Sequence, residues 1–193
     1  KVSSSNTFYI EADYNWGRKY KLYGWRSALK NYSIIKGAAI HMIDLCNWLL
    51  RSKPKSVFTM GSIKATKNTK FNKESLVTML FKYPNQIIVK VTANAAGVYE
   101  HFHEVKIFNK NETIVNSKFG AFKLTKNNIK KIKFPYPDKK NRYKFIQNFL
   151  KSIINKKFKP FLTHKEQIDL MSICFAAEKS LKFGKEIRIN YHK

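Results

Sequence analysis

In the stretch "IIKGAAIHMIDLCNWLL", Ile34 to Leu50, a histidine and a carboxylate interrupt an apolar run. His41 and Asp44 stand three residues apart, so on a helix their side chains are neighbours, and Asn47 and Arg51 continue the stripe. An imidazole titrates near neutrality, which suits a group that takes or gives a proton in a reaction. A carboxylate one turn on could orient the ring or serve the helix. The plainer reading is a polar stripe on an otherwise buried amphipathic helix whose other faces carry Ile40, Ile43, Leu45, Cys46, Trp48, Leu49 and Leu50, and spacing alone favours it.

His101 and His103 alternate, so on a strand both face one side. Two such histidines could begin a metal site, but no third ligand has convincing spacing and no metal is expected. A solvent or cleft face suits both. His164 and His192 point to no chemistry. The chain has no strand–GxGxxG–helix unit, no GxSxG and no CxxC, so the usual dinucleotide fingerprint and nucleophile elbow are missing.

The elements that must position these groups follow from periodicity. "TFYIEADYNW" reads as a strand. The helix around residues 37–51 comes next and is expected to stop at Pro54. The period then changes to two through "SVFTMGSIKA", "SLVTMLFKY", "QIIVKVTANAA", "HFHEVKIFNK" and "ETIVNS", with "FGAFKLT" and "IKKIKF" as further short strands. Two helices follow. Ile146, Phe149, Leu150, Ile153 and Ile154 form the apolar stripe of the first. "THKE" supplies a capping box for the second, and Gly184 is placed to end it. "KEIRINY" is the last strand, and "KVSSS" reads as a frayed end or linker. This order predicts an α+β fold: a mixed, mostly antiparallel, open-faced sheet with helices packed on one face.

The 193 residues, 44% hydrophobic and 15% aromatic, can build one real core. No run is long enough to span a bilayer. Cys46 and Cys174 lie in apolar helical patterns, where thiols pack as small hydrophobes, and a reducing cytoplasm fits them. The formal charge of +26 would ordinarily point to nucleic acid. Only five of the 38 basic residues are Arg, however, and Lys, Asn and Ile share A/T-rich codons. A basic nucleic-acid-binding module is therefore the alternative rather than the first reading, and salt dependence would separate the two. A part that serves only in assembly, through its exposed sheet, is a third possibility.

Taken together, the motifs resemble the C-terminal domain of the Gfo/Idh/MocA oxidoreductases, the glucose–fructose oxidoreductase and inositol dehydrogenase family, over almost the whole chain. "FYIEADYNWGR" resembles that domain's first strand. "GWR" followed by "GAAIHMIDLCNWLL" is similar to its catalytic helix. "VTANAAGVYEHFHEVKIFNKNET" resembles its central strands, and the sequence from "FIQNFLKSI" to "KEIRI" its closing helices and last strand.

The resemblance implies a longer enzyme in which an N-terminal Rossmann domain, outside residues 1–193, binds NAD or NADP. The start without Met fits that expectation. Residues 1–193 would then contact a sugar-type substrate, pack on the Rossmann domain and form a homo-oligomer, with no nucleic acid or membrane partner. His41 falls on the family's catalytic histidine and Asp44 on its structural carboxylate, while Trp25, Arg26, Lys36 and His103 are expected to bind substrate. One departure stands out: where many members carry an aspartate four residues before the histidine, this chain has Gly37.

Overall fold

Alternation along the first strand, β1 (Thr7–Asn15), sets the frame. Ile10, Ala12 and Tyr14 point to one face and are buried, while Glu11 and Asp13 point to the other. The computed structural model describes residues 6–133 and 139–191; "KVSSS" and His192 lie outside them. The remaining strands are β2 (Ser56–Ser62), β3 (Leu76–Lys82), β4 (Ile88–Asn94), β5 (Phe102–Asn109), β6 (Glu112–Ser117), β7 (Gly120–Thr125), β8 (Asn128–Ile132) and β9 (Ile187–Arg188).

Among the described residues these make one nine-stranded sheet in the order β8-β7-β6-β5-β1-β4-β3-β2-β9. Strands β1 and β4 pair in parallel, and every other pair is antiparallel. The α+β fold with a mixed, mostly antiparallel open sheet is therefore the one expected. The last strand is shorter than "KEIRINY" predicts.

The helices are α1 (Trp25–Ala28), α2 (Ile40–Leu50), α3 (Lys139–Ile154) and α4 (His164–Phe183). On the covered face, Val77, Met79 and Phe81 of β3 and Val89 and Val91 of β4 share one core with Met42, Ile43 and Cys46 of α2 and Ile173 and Cys174 of α4. The Ser180 hydroxyl stitches α4 to the sheet, accepting from the Thr59 N–H at 2.9 Å and donating to the Lys185 carbonyl at 2.7 Å. Helix α4 begins with the expected capping box between Thr163 and Glu166 and ends at Gly184, whose φ of 61° is left-handed. Both cysteines are free and buried, and burial pushes each thiol up to about 12.

Two expectations need correction. Helix α2 ends where expected, at Leu50, but Arg51 and not Pro54 stops it: Arg51 turns left-handed, with φ 48°, and its N–H bonds the Asn47 carbonyl. Helix α3 carries the predicted stripe but does not bury it. Ile146, Phe149, Leu150, Ile153 and Ile154 are all about half exposed or more. Among its described side chains the buried one is Asn148, whose side-chain oxygen accepts from the Phe161 N–H at 2.6 Å. A 3.6-residue period specifies an apolar face without specifying what covers it.

The other face of the sheet lies open. Glu11 there accepts from Lys90 at 3.1 Å and from Lys106 at 3.2 Å, while Met60 and Leu80 remain exposed.

Candidate active site

Strand register builds the site. In the β1–β5 pair Tyr14 stands opposite His103, on the face that α2 covers. Their rings lie 4.5 Å apart. His41, on the first turn of α2, stacks over the same tyrosine at 5.8 Å and stands 6.5 Å from His103. His101 closes the group, 5.4 Å from Tyr14 and 5.2 Å from His103. Three imidazoles thus gather around one phenol. Among the described residues, no group of three or more His, Cys, Asp or Glu side chains is arranged to hold a metal ion.

Electrostatics divide this group. Burial lowers the His103 pKa, and the neighbouring His101 and His41 lower it further. Burial lowers His101 as well, helped by the charges of Arg18 and Lys21 and opposed by backbone groups of Trp16 and Asn15. Both imidazoles are thereby biased toward the neutral form, which can accept as well as donate a hydrogen bond. For Asp44, burial and the Glu166 carboxylate raise the pKa, and His41 opposes them.

His41 and His103 line a cleft of about 2110 Å³, together with Asp44, Trp48, Glu166 and Tyr191. Trp48 projects into solvent at 74% exposure. The polar stripe of α2 is therefore the cleft wall, and the apolar neighbours of His41 anchor the helix below it.

The other expected residues are placed differently. Asp44 is exposed and makes no hydrogen bond among the described residues. The helix is tied instead through Asn47, whose side chain accepts from the Tyr83 hydroxyl at 2.7 Å. Lys36 is not brought to His41: its Nζ lies 3.1 Å from Glu178 and 5.7 Å from the Phe175 ring, both on α4. Trp25 and Arg26 are not cleft-wall residues either, but they flank the histidine group. The Arg26 guanidinium sits 4.2 Å from the Trp25 ring and 5.2 Å from that of Trp16, two residues beyond Tyr14 on the same face. Gly37 has a local reason. A Cβ there would stand 2.1 Å from the Tyr32 hydroxyl and 2.5 Å from its ring, so Tyr32 fills the space in which an aspartate side chain would begin.

The sequence model of the GFO/IDH/MocA C-terminal domain matches residues 6–115, from β1 into β6.

The chain belongs to the GFO/IDH/MocA family.

Solved structures share the fold of this GFO/IDH/MocA domain. UDP-N-acetylglucosamine 3-dehydrogenase from Acidithiobacillus ferrooxidans superposes with a TM-score of 0.72 at 16% identity, over 92% of this chain and 54% of that one. Myo-inositol 2-dehydrogenase from Lactobacillus plantarum gives 0.70 at 15% identity, over 96% and 57%. Scyllo-inositol dehydrogenase from Lactobacillus casei, solved with NAD(H) and scyllo-inositol, gives 0.70 at 11%, over 95% and 56%. The chain thus spans a little over half the length of these structures. No curated protein matches it significantly.

Four residues of the candidate site escape a reading of the sequence as functional groups. Tyr14 is indistinguishable from core in "TFYIEADYNW", because it shares its face with Ile10 and Ala12. His101 could be assigned only to a solvent or cleft face. Arg18 and Tyr32 lie in a stretch without period. The alternation of His101 and His103 was the available signal, and it acquires meaning only through the register with Tyr14.

Proposed function

We propose that this chain is the substrate-facing C-terminal domain of an NAD(P)-dependent dehydrogenase that oxidises a hydroxyl of a sugar, sugar nucleotide or cyclitol. The observation that carries the reading is the position of His41: on the family-type helix, on the cleft wall, with Tyr14 and His103 beside it. In this reading His41 takes the hydroxyl proton as hydride leaves the carbinol carbon, while His103 and Tyr14 hold the imidazole and border the substrate.

The nicotinamide, when bound, accepts the hydride. The described residues fit an accessory part in holding it. The cleft offers His41 and the exposed Trp48 indole, but "NYSIIKGAAIH" ahead of α2 lacks the glycine-rich turn that cradles a pyrophosphate. A Rossmann domain outside residues 1–193 is the holder. The exposed stripe of α3 supports such a domain, because an apolar helix face of this extent ordinarily packs on something. The open sheet face supports a homo-oligomer, which sedimentation of the full-length protein would show as a dimer or larger. The buried free thiols fit a reducing cytoplasm.

The test is single-turnover hydride transfer in the full-length protein. His41→Asn is expected to keep the fold and cofactor affinity and to slow transfer by about 10²-fold or more. Transfer at the wild-type rate would move the proton chemistry to another group.

A further inference from the structure

Arg26 is held by aromatic faces and left without a counter-charge. Its guanidinium carbon is 4.2 Å from the Trp25 ring, 5.2 Å from Trp16 and 5.9 Å from Tyr32. Such faces attract a cation and fix its plane without neutralising it. Its hydrogen bonding is only partly spent: Nη1 reaches the Lys21 carbonyl at a long 3.5 Å, the Tyr32 hydroxyl is within hydrogen-bonding range of the guanidinium, and Nε is buried with no partner. A buried donor without an acceptor costs stability, and its retention asks for an explanation.

The pairing pattern sharpens the question. Among the described residues, each carboxylate ion pair is made by a lysine, and neither Arg26 nor Arg18 takes part in one. Yet the fields of both arginines reach the Tyr14 hydroxyl, and those of Arg18 and Lys21 reach His101. Among the described residues, Arg18, Lys21 and Arg26 thus bring positive charge to the histidine group without a carboxylate ion pair of their own. Trp25, stacked on Arg26, is itself 61% exposed.

We propose that Arg26, supported by Arg18, binds a planar pair of oxyanion acceptors on the substrate. The enzyme would then act on an acidic sugar, carrying a phosphate, pyrophosphate or carboxylate, in preference to a neutral cyclitol. A guanidinium presents two parallel N–H donors that such a group accepts in bidentate fashion. The spacing suits a sugar. Trp16 lies two residues beyond Tyr14, just past the end of β1, and a two-residue step of extended chain is about 6.6 Å, on the order of one pyranose ring. The reacting hydroxyl at His41 and the acidic group at Arg26 belong to one molecule.

The substrate assignment rests on the dehydrogenase reading, whereas the anion site does not. The experiment titrates the full-length protein, with nicotinamide cofactor present, against pyrophosphate, glucuronate and myo-inositol by calorimetry. It also compares kcat/KM for UDP-N-acetylglucosamine, glucuronate and myo-inositol. Arg26→Gln is expected to weaken pyrophosphate or glucuronate binding by about 10-fold or more and to lower kcat/KM for the acidic substrate equally. Whichever anion depends more on Arg26 identifies the group as phosphate or carboxylate. Arg26→Lys, which keeps charge without the fork, should recover only part of the loss. Arg18→Gln should weaken the same anion less, and each of the three variants should lower kcat/KM for the acidic substrate more than for myo-inositol. Anion binding that is undetectable in wild type, or equal in wild type, Arg26→Gln and Arg18→Gln, overturns the site. Arginine-dependent anion binding without oxidation of any sugar would leave the site standing and refute the dehydrogenase. Oxidation of a neutral cyclitol without anion binding would do the reverse.

Discussion

The two faces of the sheet are made from alternate residues of the same strands and have opposite fates. Met79 and Leu80 are neighbours on β3, yet Met79 is fully buried under the helices and Leu80 is 45% exposed. On β1, Ala12 and Tyr14 lead from the core to the histidine group, while Glu11 and Asp13 face outward onto Lys90. One face is closed by this chain's own helices and carries the candidate chemistry. The other lies open, crossed by ion pairs, and carries exposed apolar side chains between them. The helices decide which half of an alternating pattern becomes core, and no strand sequence contains that decision.

Truncation is the strongest way to break this contrast. Met79→Ala removes a side chain at the centre of the covered face and should lower unfolding stability by about 2–5 kcal/mol, read from the urea midpoint. A loss under about 1 kcal/mol would mean that the helices do not seal that face. Gly37→Ala tests the seal from the helix side. The new methyl would meet Tyr32 at 2.1 Å and should cost about 1–3 kcal/mol by overpacking; Tyr32→Phe in the same background, which removes the hydroxyl it meets first, should restore part of it. Leu80→Ala should cost less than about 1 kcal/mol in the monomer. A larger and concentration-dependent loss in the full-length protein would show that a second copy covers the open face.

Acid separates the two carboxylates of that face and gives the smallest expected effect. Burial raises the Glu11 pKa, but hydrogen bonds from Lys90 and Lys106 outweigh it and hold the group below its ordinary value. Its stabilisation is present above the ordinary glutamate range and is lost as pH falls through the lowered value. Burial raises the Asp13 pKa on balance, against the opposing charge of Lys90. The native state therefore favours its protonated form, and stability falls as pH rises through that value. Glu11→Gln should lower the thermal midpoint at neutral pH, and the difference should vanish in acid. Asp13→Asn should raise the midpoint at neutral pH, with a gain that also fades in acid. A shift of the same sign in both variants would contradict the assigned directions.

Most of the sheet was legible, because period-two runs bounded by turn residues name strands β1 to β8 almost one for one. The cap of α4 was legible too, since Thr163 and Glu166 act through local bonds that three residues of spacing suffice to specify. What was not legible was non-local. The stripe of α3 reads like that of α4, yet Ile173 is buried and Ile153 is 60% exposed, because the surface that meets each helix is set elsewhere. The candidate site divides in the same way. His41 and its place on a helix could be read from one segment, whereas Tyr14 joins it only through pairing with β5. Lys36 looked like a site residue from its position near His41, but a helical turn carries it round to Glu178.

The parallel pairing of β1 with β4 also shapes how the chain comes into being on the ribosome. Tyr9 must meet Ile88, about 80 residues later, and β5 later still. At roughly 5–20 residues per second, β1 waits roughly 4–16 s after its own synthesis for its first partner. During that interval its Tyr- and Ile-bearing edges are unpaired, a template for misassociation with other nascent chains. The central strand of the finished domain is thus the one that spends longest without neighbours, and chaperone demand should concentrate on its first hundred residues.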